Sequence, residues 1–486
     1  MSLSTALTNA LSGLRASTLE AELIANNVAN AQTPGYTRRS AELGAATVGG
    51  SGAGVRVAGV VLAGDPAVIA GRRIAEAGLA ASDAALDAVT RLSDRLGVLG
   101  DPSALAALAT DLETALQAAA SDPASDTALD SAARSAVRFA DAVGTLSTEV
   151  QTMRMTADAE IAAEVQLVND NLREIEALNR QIQMLATGGG DASALVDARK
   201  SLIDEVNTII PIREVARENG AVALYSGRGA TLLDGVAGEF GFTPTPVIGQ
   251  TMTLAGGDLS GLTLNGRPIG VGQGTGLADG GSLGALFTLR DTTLPQFADR
   301  LDVLAEDLVL RFQDPALDPS RAPGDPGLFT GAGAAVIAGD RAGLASRLAV
   351  HTAADPDAGG ASWRLRDGLY AAAPGPAGDG RLLAALDDAM TERRTPDAAL
   401  GLATAGAFAQ TVAGFTGSVA GAQSSAEVER GHDAALATAL RDQEAAASGV
   451  DTDQQMQRLL LVERSYAANA MVMSKVDDMI RALMEI

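Results

Sequence analysis

The sequence predicts a multidomain, mainly α protein: terminal helices forming a coiled coil, an elongated helical bundle with long helices, and smaller β-rich parts in the middle of the chain. Three observations carry this expectation. The 486 residues exceed what one ordinary core organises, so two to four domains are expected. Hydrophobic residues make up 47% of the chain but aromatics only 3%, and much of the difference is alanine, which favours long helices with shallow seams over thick cores. Both ends carry residues spaced alternately by four and three, the spacing that holds one stripe toward a partner helix.

At the N-terminus the stripe is Leu3, Leu7, Ala10, Leu14, Ser17, Ala21, Ile24 and Val28, with Ser17 its polar member. At the C-terminus it is Leu459, Val462, Tyr466, Asn469, Met473, Val476, Ile480 and Leu483, with Asn469 polar. A helix of about 28 residues is roughly 40 Å long, and with its stripe unpaired it would fray in a lone monomer. Two readings stay open: the ends pack on the body of their own chain, or they pair with each other and with neighbouring copies. Asn469 sets the register of the pairing in one view, and in another it faces solvent because the stripe has drifted.

Between the ends, Asp65 before Pro66 is a helix start, with a carboxylate cap and proline at the first helical position; the helix is expected to reach about Leu96. A shorter helix follows Asp101 and Pro102 to roughly Ala120. From Asp126 to about Ala186 there is no proline and only Gly144, so one helix of up to about 60 residues, roughly 90 Å, is expected. Ile161, Val165, Val168, Leu172, Ile175 and Ile182 give it an apolar stripe, and the glycines at 188–190 end it. After a helix around Leu195 to Ile210, the segments AVALY, TLLDG, TMTLAGG and LTLNGRP read as short strands between glycine-rich turns. A helix from roughly Leu294 to Phe312 returns to the bundle pattern, and the Pro- and Asp-dense stretch 314–327 reads as linker or turn. The expected division is therefore 1–62 with 448–486 as a terminal coiled-coil unit, 63–313 with 396–447 as a helical bundle containing a β-rich stretch at about 213–285, and 314–395 as a separate outer β/irregular domain around Trp363.

Composition excludes several functions. A net charge of −24 argues against nucleic acid and anionic membrane surfaces as partners. The absence of cysteine removes disulfides, thiolate metal sites and thiol nucleophiles. No Sec signal is readable in MSLSTALTNALSGLRAS, and no window approaches the roughly 20 apolar residues of a membrane span, so export, if any, is expected by another route. Gly280, Gly281, Ser282, Leu283 and Gly284 match the nucleophile-elbow pattern, yet nothing ties His351 or His432 to Ser282 as a base. With two histidines there is little for zinc, and the pairs Asp355 with Asp357 and Asp451 with Asp453 read as turns or caps rather than calcium ligands. No catalytic, cofactor-binding or metal site is expected.

The segment ANNVANAQTPGYTRR, 25–39, carries a more specific signal. A helix ends in Asn27 and Asn30, then Thr33, Pro34, Gly35 and Tyr36 enforce a turn, proline by fixing φ and glycine by permitting positive φ, and an extended segment begins. This resembles the N-terminal signature of the flagellar rod, hook and hook-associated proteins, and SGVDTDQQMQRLLLVERSYAANAMVMSKVDDMI, 448–480, is similar to that family's closing helix. The long helices and LGALFTLRDTTLPQFADRL, 283–301, look like the hook-associated branch, whereas rod members are shorter and hook members have a largely β middle. Gln32 and the run Val462 to Tyr466 depart mildly from the usual residues.

The resemblance implies a structural adaptor at the hook–filament junction. It would be exported by the flagellar type III apparatus, be held beforehand by a chaperone on its C-terminal helix, and assemble as a ring between the hook protein on one side and a second junction protein and the filament on the other. Its terminal helices would form an inner tube and supply the subunit interfaces. The rivals are a hook or rod component, a helical signalling module and, most distantly, a serine esterase.

Overall fold

The computed structural model describes residues 3–484 apart from 34, 49–50, 98–99, 189, 273–275 and 277–279, so Pro34 of the motif turn and Gly189 lie outside the described residues. Helix α1 (Leu3–Ala29) is followed by a hairpin of β1 (Arg39–Val48) and β2 (Ser51–Leu62). The body then contains α2 (Pro66–Leu96), α3 (Leu105–Ser121), α4 (Asp126–Gly188) and α5 (Ser193–Ile209). Next come strands β3 (Ile212–Ala216), β4 (Val222–Ser226), β5 (Thr231–Asp234), β6 (Val236–Ala237), β7 (Phe240–Gly241), β8 (Thr263–Leu264) and β9 (Arg267–Pro268). Helix α6 (Ser282–Thr288) runs through a π-turn at 289–293 into α7 (Leu294–Phe312). Then follow β10 (Phe329–Gly331), α8 (Leu344–Arg347), β11 (Leu348–Val350), α9 (Arg364–Asp367) and α10 (Arg381–Thr391). The chain closes with α11 (Phe408–Ser448) and α12 (Thr452–Met484). The fold is mainly helical with small antiparallel sheets in the middle, as expected.

Local chemistry places the helix ends. Asp65 accepts from the backbone N–H of Ala67 at 2.8 Å, starting α2 at Pro66. Helix α4 runs 63 residues, roughly 95 Å, because nothing within it breaks the pattern. Its first half, Leu129 to Met153, packs into one apolar cluster with α3, α7, α10 and α11; Ala157 to Ile175 pack into a second with α5, α6 and the sheet β3–β4–β5–β6. Between the two clusters lies a buried polar joint. Arg290, from the π-turn, donates to Asp158 at 2.5 Å and to Ser260 O at 3.0 Å, while Arg154 donates to Met252 O at 2.8 Å and to Arg290 O at 3.2 Å.

Three expectations need correction. Residues 251–257, expected as a strand, form turns, because Thr253 satisfies the backbone locally: its hydroxyl accepts from Gly256 N and its carbonyl from Asp258 N. The segment 314–395, expected as a separate outer domain, has no core of its own. Its Leu328, Phe329, Leu344, Leu365 and Leu383 belong to the same buried cluster as α4 and α7, and the Phe329 ring stands edge-on to Phe312 of α7 at 5.2 Å. Residues 39–48 and 51–62, expected only as an extended segment, pair as the two strands of a long hairpin that lies on α1. Gly54, at φ +93°, makes that contact possible, since a β-carbon there would lie 2.1 Å from the Ser12 hydroxyl.

Candidate assembly interface at the paired termini

Helices α1 and α12 pack antiparallel along most of their length. On α1, Ala10, Ser17 and Ile24 are buried and Leu3, Leu7, Leu14 and Ala21 half-buried. On α12, Val476 is buried and Leu459, Val462, Asn469, Met473 and Ile480 half-buried. Three residues of the expected stripes are exposed instead: Val28 at 36%, Tyr466 at 48% and Leu483 at 61%. At Val28 and Leu483 the cause is geometric, since a strict 3.5-residue repeat drifts about 20° per heptad on a straight helix and leaves the contact line by its ends. Asn27 takes the buried place next to Val28.

Asn469 does lie on the seam. Its side chain packs against Gly13 of α1, while its amide donates to Ser465 O of its own helix at 3.0 Å. The side of α12 away from α1 carries a second apolar row, with Leu460, Met471, Val472 and Met479 all exposed. One apolar face of α12 is therefore covered within the chain and another is open to solvent.

The motif turn holds this pair to the body. The fully buried Asn27 amide uses all its hydrogen-bonding capacity: it donates to Arg39 O (2.8 Å) and Gln455 Oε1 (3.1 Å) and accepts from the Tyr36 hydroxyl (2.9 Å) and Arg39 N (2.9 Å). Asn30 donates to Asn26 O at 3.0 Å and accepts from the Thr33 hydroxyl at 3.3 Å, closing α1, and Gly35 adopts φ +78°. The Arg39 guanidinium lies 4.8 Å from the Tyr36 ring centre and pairs with Asp197 of α5 at 3.0 Å. Burial pushes the Tyr36 phenol above its ordinary pKa, and Arg39 opposes the shift.

A buried ionic network continues inward. Arg72 meets Glu76, Asp204 and Glu444, Arg73 meets Asp204 and Glu214 (2.6 Å each), and Lys200 reaches Glu444, so α2, α5, α11 and β3 are locked together. Burial raises the Glu444 carboxyl, but Lys200 and Arg72 outweigh it and hold the group below the usual range. Sequence reasoning named neither this network nor Gln455 or Gly13; the lone glycine inside the α1 pattern was the readable hint.

The candidate chemistry elsewhere is taken up locally. Ser282 donates to Glu164 at 2.6 Å, not to a histidine. His351 contacts the Tyr370 hydroxyl at 3.2 Å, and His432 is exposed on α11. Asp355 and Asp451 accept backbone N–H bonds from Asp357 and Asp453 as turn and helix caps. Among the described residues no three His, Asp or Glu side chains are placed to share a metal ion.

Three family models match the chain in order. One described as a flagella basal body rod protein matches residues 7–37, one described as the flagellar hook-associated protein FlgK helical domain matches 94–315, and one described as the flagellar basal body rod FlgEFG protein C-terminal matches 444–486. The first and last fall on the two helices that pair, and the middle one on the bundle. The chain is thus similar to flagellar rod proteins at its two ends and to a hook-associated protein across its bundle. It is 25% identical to the flagellar hook-associated protein 1 of Escherichia coli (strain K12) over 311 residues, which is 62% of this chain and 55% of that protein. The same protein of Salmonella typhimurium is 25% identical over 315 residues with the same coverage. The chain thus spans little more than half the length of these curated relatives. The solved structure of the flagellar hook junction protein FlgK from Burkholderia pseudomallei aligns with 55% of this chain and 46% of that one, at 19% identity and a TM-score of 0.43.

Proposed function

We propose that this chain is a structural subunit of the bacterial flagellum, a non-enzymatic adaptor at the hook–filament junction. The observation that carries the reading is the terminal pair: α12 covers one apolar face with α1 and leaves another apolar face to be covered by something outside the chain. A ring of copies joined through these helices supplies that cover. In this reading 1–62 with 448–486 form the inner tube, 63–313 with 396–447 the surrounding bundle, and 314–395 a layer on its outside.

The ring binds the hook protein on one side and a second junction protein with the filament on the other. Before assembly the chain passes through the type III export apparatus, with a chaperone covering the C-terminal helix, and it works outside the cell. Nucleic acid and membrane insertion have no place in this scheme. The charge of −24 supports the first exclusion, and among the described residues no helix is long and apolar enough to cross a membrane.

Deleting the gene tests the reading. Hooks without filaments, with flagellin shed into the medium, are expected; normal filaments overturn it. A hook or rod component is the nearest rival, and mass per unit length in reconstituted assemblies separates the two.

A further inference from the structure

A groove of about 300 Å³ opens beside the motif turn, walled by Leu23 and Ile24 of α1, Arg39 of β1, and Gln455, Arg458 and Leu461 of α12. Two wall residues carry buried N–H groups with no acceptor among the described residues: Nε2 of the fully buried Gln455, and Nε of Arg39. Turning the Gln455 amide cannot relieve its orphan. Its Oε1 accepts from Asn27, whose own orientation is fixed by three further bonds. Arg458 is exposed at the rim with no ion pair among the described residues, and Glu20 is the one acidic residue of the wall. The groove therefore offers spare donors and a cation to an incoming acceptor.

The chain stands at −24 as a whole, but residues 1–62 hold four arginines and three glutamates, and 448–486 four basic and six acidic side chains. The nearly neutral terminal unit can therefore approach another copy of itself without strong repulsion. On α12, Glu463 is the only carboxylate between Asp453 and Asp477; it is exposed, has no ion pair among the described residues, and stands beside the exposed Leu460 and Tyr466. Glu463 lies five residues from Arg458, a spacing that turns the two to different sides of the helix. A copy cannot fill its own groove with it.

We propose that the groove takes Glu463 of a second copy, so that each copy gives this carboxylate to one neighbour and receives one from another. Such a contact is heterologous and propagates into a ring or helical tube. The proposal rests on the assembly reading above and names its contact.

The chain lacks cysteine, so a Arg458→Cys, Glu463→Cys double variant reports the contact cleanly. In flagella assembled by cells carrying only this variant, a short bismaleimide is expected to link copies into a ladder, and either single cysteine variant to give none. As a second arm, Arg458→Glu and Glu463→Arg are each expected to lower the amount of chain retained at the hook tip about tenfold, with the double reversal restoring it. Filaments that assemble without a ladder, together with reversals that have no effect, overturn the pairing and leave the junction role standing. Normal filaments in the gene deletion overturn the role itself.

Discussion

Asn469 of α12 occupies the space beside Gly13 of α1 where a β-carbon would stand: that atom would lie 2.7 to 2.9 Å from the Asn469 side-chain atoms. Because the Asn469 amide bonds to its own helix, the seam is fixed here by a fit of large against absent side chain rather than by a hydrogen bond across it. In an isolated helix Gly13→Ala would gain about 1 kcal/mol. In the whole chain it is expected to weaken the α1–α12 pairing, and Asn469→Ala added to it is expected to restore the pairing. Amide exchange along both helices checks the pair of outcomes.

The terminal pair offers few buried contacts compared with the body. In the isolated protein, amides of α1 and α12 are expected to exchange with solvent far faster than those of α4, whose buried row runs from Leu129 to Ile182. Equal protection at the ends and the centre would contradict the assembly reading.

Asn27→Ala removes four hydrogen bonds at a fully buried site and strands Gln455, Tyr36 and Arg39. A loss on the order of 3 kcal/mol is expected, concentrated at the joint between terminal unit and body. Limited proteolysis checks it: cleavage should move into 30–40 while the body stays intact.

Asp158→Ala leaves the buried Arg290 guanidinium with Asp291 as its remaining carboxylate and frees the backbone N–H of Thr245. Breaking a buried ion pair by removing one partner costs about 3 to 5 kcal/mol, and denaturant unfolding should show a loss of that order.

Burial pushes the Glu164 carboxyl up to about 7; the hydrogen bond from Ser282 opposes this and nearby Glu160 adds to it. A raised carboxyl means the folded state prefers the proton. Its contribution to stability is full below the ordinary glutamate pKa of about 4.3, and is lost as pH rises through 7. Glu164→Gln should match the wild type at pH 4 and exceed it at pH 8 by on the order of 2 kcal/mol, as read from thermal unfolding at both pH values.

Helix existence and most helix limits were legible, because the apolar periodicity and the punctuation by proline and glycine act locally: Asp65–Pro66 opens α2, and 126–186 contains nothing to stop α4. The motif residues Asn27, Asn30 and Tyr36 were legible as a turn, but the Asn27–Gln455 bond was not, since it joins positions 428 residues apart and leaves no local mark. Stripe positions near helix ends failed at Val28 and Leu483 because fixed spacing ignores helix drift. The hairpin on α1 was hidden by glycines in GGSGAG that dilute the alternation of GVRVAGVV. The 314–395 segment read as independent because its apolar residues show no period, although they fill a core that other elements supply.

That α4 threads both apolar clusters has a mechanical meaning. One continuous rod of 63 residues serves as the spine of the body, so neither half can melt without loosening the beam that braces the other. Heat should therefore take the body apart in a single calorimetric step, and a pull or twist delivered at one end should reach the far end with little loss to bending.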